Sequence, residues 1–339
     1  MTAKESQMIK MHLQIRTRRD VIFGAAGLAA FSIVRPRFAA AQDNPTAPSR
    51  DYVEHRIARG EHKLYAREWE GKGPALVLLH GFPDNLHIYD ELAPLLARAG
   101  RRVVSFDFLG FGASDKPEGF AYNFKQHVDD LAVVADALKL ETFIPVAHDA
   151  GGPAAINYAL DHRKRIAAMV LLNSFYADAP TLKFPELIEL FSDPDLKDLG
   201  LAFLGDRSKL EWLLTFQNHH FEAKASPELR ARFDTILQPI VSANFAQKPS
   251  AGPAFVAMTG DLRAAVAANN KRVRELRSFK APVRIVWGMT DPYLNRGVAQ
   301  DFAARFPNAS LGAMETAGHW PQIDLPQETA ELILKHVSA

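Results

Sequence analysis

Cysteine is absent from all 339 residues, which excludes disulfides, iron–sulfur clusters, thiolate metal sites and a thiol nucleophile together. Excess charge is lacking as well. The chain carries 40 basic and 39 acidic side chains, a formal +1, and so has no electrostatic footprint for nucleic acid. Internal repeats and low-complexity tracts are missing. A composition of 47% hydrophobic and 23% charged residues sets aside wholesale disorder, a collagen-like fibre and a multi-span membrane protein. Two motifs are incomplete or absent. Gly110-x-Gly112 has Asp115 where a dinucleotide fingerprint needs its third glycine, and no His-Glu-x-x-His occurs. The adjacent His219 and His220 would point to different sides of a helix, so neither a metal site nor a cofactor is expected. Chemistry must come from oxygen and nitrogen side chains.

The first 41 residues read as an address. Lys4, Lys10, Arg16, Arg18 and Arg19 make a basic start, Val21 to Val34 is apolar or small, and Ala39-Ala40-Ala41 offers a cleavage site. Thr17-Arg18-Arg19-Asp20 resembles the start of a twin-arginine signal, with Val21 where that pattern usually has Phe. The alternative is an uncleaved anchor, but the apolar stretch is short for a hydrocarbon core of ~30 Å. Cleavage would remove seven basic and two acidic residues and leave a net charge of −4. A periplasmic or secreted protein without lasting membrane association is expected.

From Tyr52 onward, strand-like and helix-like stretches alternate, the pattern of a mostly parallel sheet covered on both faces. Ala75–Leu79, Arg102–Phe106, Phe143–Val146, Ala168–Leu172 and Val283–Trp287 are short apolar runs of buried-strand type. Leu86 to Ala99 and Gln126 to Leu138 carry helical periodicity. Between 177 and 279 no clear strand occurs, and helical stretches are broken at Pro180, Pro185, Pro194, Pro227, Pro239, Pro249 and Pro253. The expected organisation is an α/β core over 42–175 and 281–339, with a helical cap inserted over 176–280.

Four loops stand directly after predicted strands, where open α/β sheets place their sites. They are His80-Gly81-Phe82-Pro83, the stretch from Asp107 to Asp115, His148-Asp149-Ala150-Gly151-Gly152, and Gly288-Met289-Thr290-Asp291-Pro292. A fifth is Ala317-Gly318-His319-Trp320-Pro321. A lone aspartate after a strand is more often a helix N-cap, His319 alone could be a surface histidine, and Asp291 could simply form the turn before Pro292. Taken jointly, the loops resemble the α/β-hydrolase fold, in its branch of haloalkane dehalogenases and epoxide hydrolases with an aspartate nucleophile.

That resemblance implies a set of roles. Asp149 is the nucleophile at a sharp strand-to-helix elbow, where Gly151 supplies a small neighbour and Ala147 replaces the usual first glycine. A carboxylate is already ionised at neutral pH and needs no base before it attacks carbon. His319 is then the base for the water that hydrolyses the resulting alkyl ester, with Asp291 orienting its ring. The backbone N–H groups of Phe82 and Ala150 form the oxyanion hole.

The bond that is broken is less legible. Haloalkane dehalogenases resembling this chain hold halide with a Trp after the nucleophile and a side chain in the oxyanion loop; here these positions are Ala150 and Phe82. Epoxide hydrolases use cap tyrosines, and residues 177–292 contain none. Haloacetate dehalogenases share His-Gly-Phe-Pro, but their carboxylate-binding arginines are missing at Phe108-Leu109-Gly110 and after Asp149, so a neutral substrate is expected. One cap stretch offers Trp212, Gln217, Asn218, His219 and His220; Trp212 and His219, seven apart, could face the pocket together, and Tyr176 stands at the cap entrance. Packing and solvent exposure are the alternatives for all three. The leading expectation is carbon–halogen hydrolysis of a small hydrophobic substrate. Epoxide hydrolysis follows, with an ester or lactone hydrolase and a non-catalytic ligand-binding protein behind it.

Overall fold

A computed structural model describes residues 51–337, and the expected export signal lies outside them. Eight strands are formed: β1 (Val53–Arg59), β2 (His62–Trp69), β3 (Lys72–Leu79), β4 (Arg101–Asp107), β5 (Phe143–Asp149), β6 (Met169–Ser174), β7 (Val283–Gly288) and β8 (Ala309–Met314). They join one sheet in the order β1-β2-β4-β3-β5-β6-β7-β8. β2 pairs antiparallel with both neighbours, and every pair from β4 to β8 is parallel. This is the α/β-hydrolase type of sheet.

The period of two along the strands divides the core. Val77 and Leu79 pack on one face with Leu131, Val134 and Phe302, and Leu76 and Leu78 pack on the other with Leu92, Leu96 and Ile333. Both faces are covered, which is why the central strands read as unbroken apolar runs.

The expected helix over Leu86–Ala99 is two pieces, a tight turn at Leu86–Tyr89 and a helix at Leu92–Arg98. Pro94 explains the break. In a continuous helix it would lack the N–H for the carbonyl four residues back and its ring would strike that carbonyl; in the first turn of a new helix it does neither. Between β6 and β7 the described residues form helices only, from Glu186–Ser192 to the long Gly252–Leu276. Pro227 and Pro253 start helices there. Pro239 breaks none: a widened turn at Phe233–Leu237 precedes it and helix Gln238–Ala246 continues. The extra residue in that turn shifts the carbonyl that the ring would meet. Among the described residues, no helix is long and apolar enough to cross a membrane.

Candidate active site

At the end of β5 the chain bends at Asp149, whose φ of +47° lies in the left-handed region that non-glycine residues rarely enter. Its surroundings leave no room for side chains. A Cβ on Gly152 would stand 1.8 Å from Ser174 Oγ, and one on Gly81 would stand 2.5 Å from Asp149 Oδ1. Ser174 Oγ donates to the Asp149 carbonyl at 2.6 Å and ties the bend to β6. The carboxylate therefore projects above the sheet, ahead of helix Gly151–Asp161.

Its two oxygens have different partners. Oδ1 accepts the Phe82 N–H at 3.3 Å, and the Ala150 N–H also bonds to the carboxylate. Oδ2 lies 3.7 Å from His319 Nε2. His319 Nδ1 donates to Asp291 Oδ2 at 2.7 Å, which leaves Nε2 as the basic nitrogen. Asp291 is buried and fully supported: Oδ1 accepts from the N–H groups of Tyr293 and Leu294 at 2.9 and 3.0 Å, and Oδ2 accepts from Asn173 Nδ2 at 3.0 Å. These groups come from the carboxyl ends of β3, β5, β6, β7 and β8, so the parallel sheet itself assembles them.

Burial disfavours charge on Asp149 and raises its pKa, against the opposing pull of His319 and the two backbone N–H groups. Burial also opposes a charge on His319, but Asp291 and Asp149 outweigh it and the imidazole titrates above its ordinary range. Asp291 is desolvated too, yet His319 and its hydrogen bonds hold it below the usual carboxylate range.

Asp149 and His319 open onto a cavity of about 60 Å³, several times the space one water needs. Its walls are mostly apolar, with Phe82, Phe175, Leu214 and Leu262 among them. Three of the anticipated donors are elsewhere. Trp212 is 60% exposed and stacks on Phe216, and His219 is exposed. Tyr176 is buried outside the cavity wall, its hydroxyl donating to Asn157 Oδ1 at 2.9 Å. Trp212 and His219 do share a face of helix Arg207–Phe221, but it is the outer one. Leu214, Gln217, Asn218 and Phe221, at the same helical spacing, line the cavity instead.

Other polar groups line the cavity. Tyr293 lines the cavity one residue beyond the tyrosine-free segment; its hydroxyl donates to Glu186 and accepts from Gln217 Nε2 at 2.7 Å. Burial, with Glu186 alongside, raises its pKa. Lys183, Asn218 and Gln238 also line the cavity, with no partner for their side-chain donors among the described residues. The only advance signal for Tyr293 was its place two residues after Asp291.

Two supporting groups lie behind the walls. Asn244, fully buried on helix Gln238–Ala246, donates to the carbonyls of Pro83 and Asp84 at 2.6 and 2.9 Å and accepts from Gly112 N–H at 3.1 Å. It clamps the loop that presents the Phe82 N–H. Asp84 accepts from Trp320 Nε1 at 3.0 Å, and burial pushes it up to about 7. Among the described residues, no group of three or more His, Cys, Asp or Glu is gathered as a metal site.

A family model described as the alpha/beta hydrolase fold matches residues 74–326. Haloalkane dehalogenase 2 of Mycobacterium tuberculosis is 26% identical over 273 residues, covering 78% of this chain and 88% of its own. Fluoroacetate dehalogenase of Burkholderia sp is 41% identical over 107 residues, 30% of this chain and 35% of that protein. Among solved structures, Est816, described as an N-acyl homoserine lactone degrading enzyme, superposes with a TM-score of 0.64 at 27% identity, covering 83% of this chain and 99% of its own.

Proposed function

The chain belongs to the alpha/beta hydrolase fold family, and from that premise we propose that it hydrolyses a carbon–halogen bond in a small neutral substrate through an alkyl ester on Asp149. The observation that carries the reading is the division of labour in one carboxylate: Oδ1 accepts the Phe82 N–H while Oδ2 lies 3.7 Å from His319 Nε2. Oδ2 attacks the sp³ carbon, a C–O bond forms as the carbon–halogen bond breaks, and halide departs. Water then loses a proton to His319 Nε2 and adds to the ester carbonyl carbon. Oδ1 carries the developing charge, already facing the Phe82 N–H, and the Ala150 N–H also bonds to this carboxyl group. Collapse breaks the bond to the alkyl oxygen, which takes the proton of the added hydroxyl, so the alcohol leaves, Asp149 returns as a carboxylate and His319 keeps the proton it received.

The uncommitted amides of Asn218 and Gln238 are suited to receive halide, and apolar walls suit a neutral alkyl chain. The similarity to haloalkane dehalogenase 2 supports the same reading. Acyl transfer is disfavoured, because it would place an anhydride on Asp149. Tyr293 favours epoxide opening as the second reading, since its phenol could protonate an alkoxide, although Glu186 already engages that proton.

His319→Ala separates the two steps. Alkylation is expected to persist and ester hydrolysis to slow by about 10²–10⁴-fold, so mass spectrometry should find the Asp149 peptide heavier by the alkyl group. Absence of any adduct across haloalkanes and epoxides that the unaltered chain turns over would end the covalent mechanism, while halide against diol release decides between the substrates.

A further inference from the structure

The carbon–halogen route leaves one proton on the enzyme per turnover. Halide departs as an anion, the alcohol keeps one hydrogen of the water, and Asp149 returns as a carboxylate. The surplus proton resides on His319, which is 5% exposed. Epoxide opening leaves no such surplus, because the alkoxide takes it up.

A second cavity also reaches His319. It measures about 20 Å³, enough for a water molecule, and Phe221, His319 and Trp320 line both cavities. Its remaining wall includes Glu222, Asp324 and Thr290. Glu222, just past helix Arg207–Phe221, is 8% exposed and its Oε1 finds no protein partner. A buried oxygen of this kind is costly unless water or a proton satisfies it. Asp324 is partly exposed and accepts the Gly318 N–H at 2.6 Å, beside His319 in the chain. Thr290 donates its hydroxyl to Ala317 O and keeps its lone pairs for water.

We propose that Glu222 and Asp324 are the proton exit, taking the surplus proton from His319 through water in this cavity and passing it to solvent. The assignment rests on the carbon–halogen reading. Burial, reinforced by Asp234 and Asp324 and opposed by Arg230, pushes Glu222 up to about 7. Burial likewise pushes Asp324 up to about 6, against the Gly318 N–H, Arg232 and His319 and with a small contribution from Asp291. Carboxyls titrating near neutrality can both accept and release a proton at working pH.

The test compares Glu222→Gln, Asp324→Asn and the double variant by rapid-mixing halide release and steady-state turnover, in dilute and concentrated imidazole buffer. The first halide burst is expected at the unaltered rate, because attack by Asp149 needs no base. Steady-state kcat is expected to fall about tenfold or more in dilute buffer and to recover as imidazole rises, while the unaltered chain ignores buffer concentration. Unchanged kcat in the double variant overturns the exit. So does a fall that imidazole fails to rescue, or a slowed burst, since either marks a structural role. An unaltered chain that shows neither a halide burst nor a label on Asp149 overturns the carbon–halogen reading first, and the exit with it.

Discussion

Asp149 and His319 set each other's charge, and the proposed esterification would change that relation. In the free protein the Asp149 carboxylate is one of the charges that raise the His319 pKa. Once Asp149 is an ester it is neutral, and the imidazole loses that contribution while keeping Asp291. The base is thus easier to keep neutral at the step that needs it. The two steps have distinct acid limits. Alkylation requires ionised Asp149 and should decline as pH falls through a pKa raised above the carboxylate range by burial. Hydrolysis requires neutral His319 and should also decline with falling pH, with a midpoint below the His319 pKa of the free protein. Rapid-quench measurement of ester lifetime against pH, beside an NMR titration of His319, checks the sign; a midpoint at or above the free value contradicts the coupling.

The residues of the proposed chemistry lie at strand ends and on loops, and a helix between β6 and β7 steadies one of these loops. Asn244 spans from helix Gln238–Ala246 to Pro83, Asp84 and Gly112, so it couples the helical segment to the loop that presents the Phe82 N–H. Asn244→Ala would leave these buried backbone groups unpaired and cost about 1–3 kcal/mol of stability. It should also slow ester hydrolysis by about tenfold or more, short of the ~10²–10³ that follows outright loss of an oxyanion donor. Chemical denaturation and single-turnover kinetics measure the two effects. A stability loss with no change in hydrolysis would mean that the loop holds its geometry without the clamp. The same helical segment shows why periodicity locates a helix but not its orientation: Trp212 and His219 have the spacing expected of neighbours, and packing turned them outward.

The sheet divides the interior into two apolar layers, and one layer contains a flaw with consequences for acid stability. His127 is fully buried, stacked on Phe108 with ring centres 3.8 Å apart, and neither ring nitrogen has a protein partner. Burial, and His80 nearby, drive its pKa well below the ordinary 6.5. The unfolded chain therefore binds this proton while the folded chain refuses it, so stability declines as pH falls below about 6.5. His127→Phe keeps a flat ring against Phe108 and removes both unpaired nitrogens. A gain of about 1–3 kcal/mol is expected, larger at pH 5 than at pH 8, by thermal or urea unfolding. An equal gain at both pH values would show that His127 is not the group responsible.

The linear chain alone determined the alternation of buried strands and amphipathic helices, because side-chain periods of 2 and 3.6 are local properties. It also determined the strand-end positions of Asp149, Asp291 and His319, since a parallel sheet exposes the loop after each strand at one edge. Only the tertiary structure decided which helix faces turn inward, that Tyr293, Asn218 and Gln238 share the cavity with Asp149, and that Glu222 and Asp324 meet beside His319. Those pairings join residues far apart in sequence through packing of whole helices against the sheet, and no local period encodes the direction from which a distant element arrives.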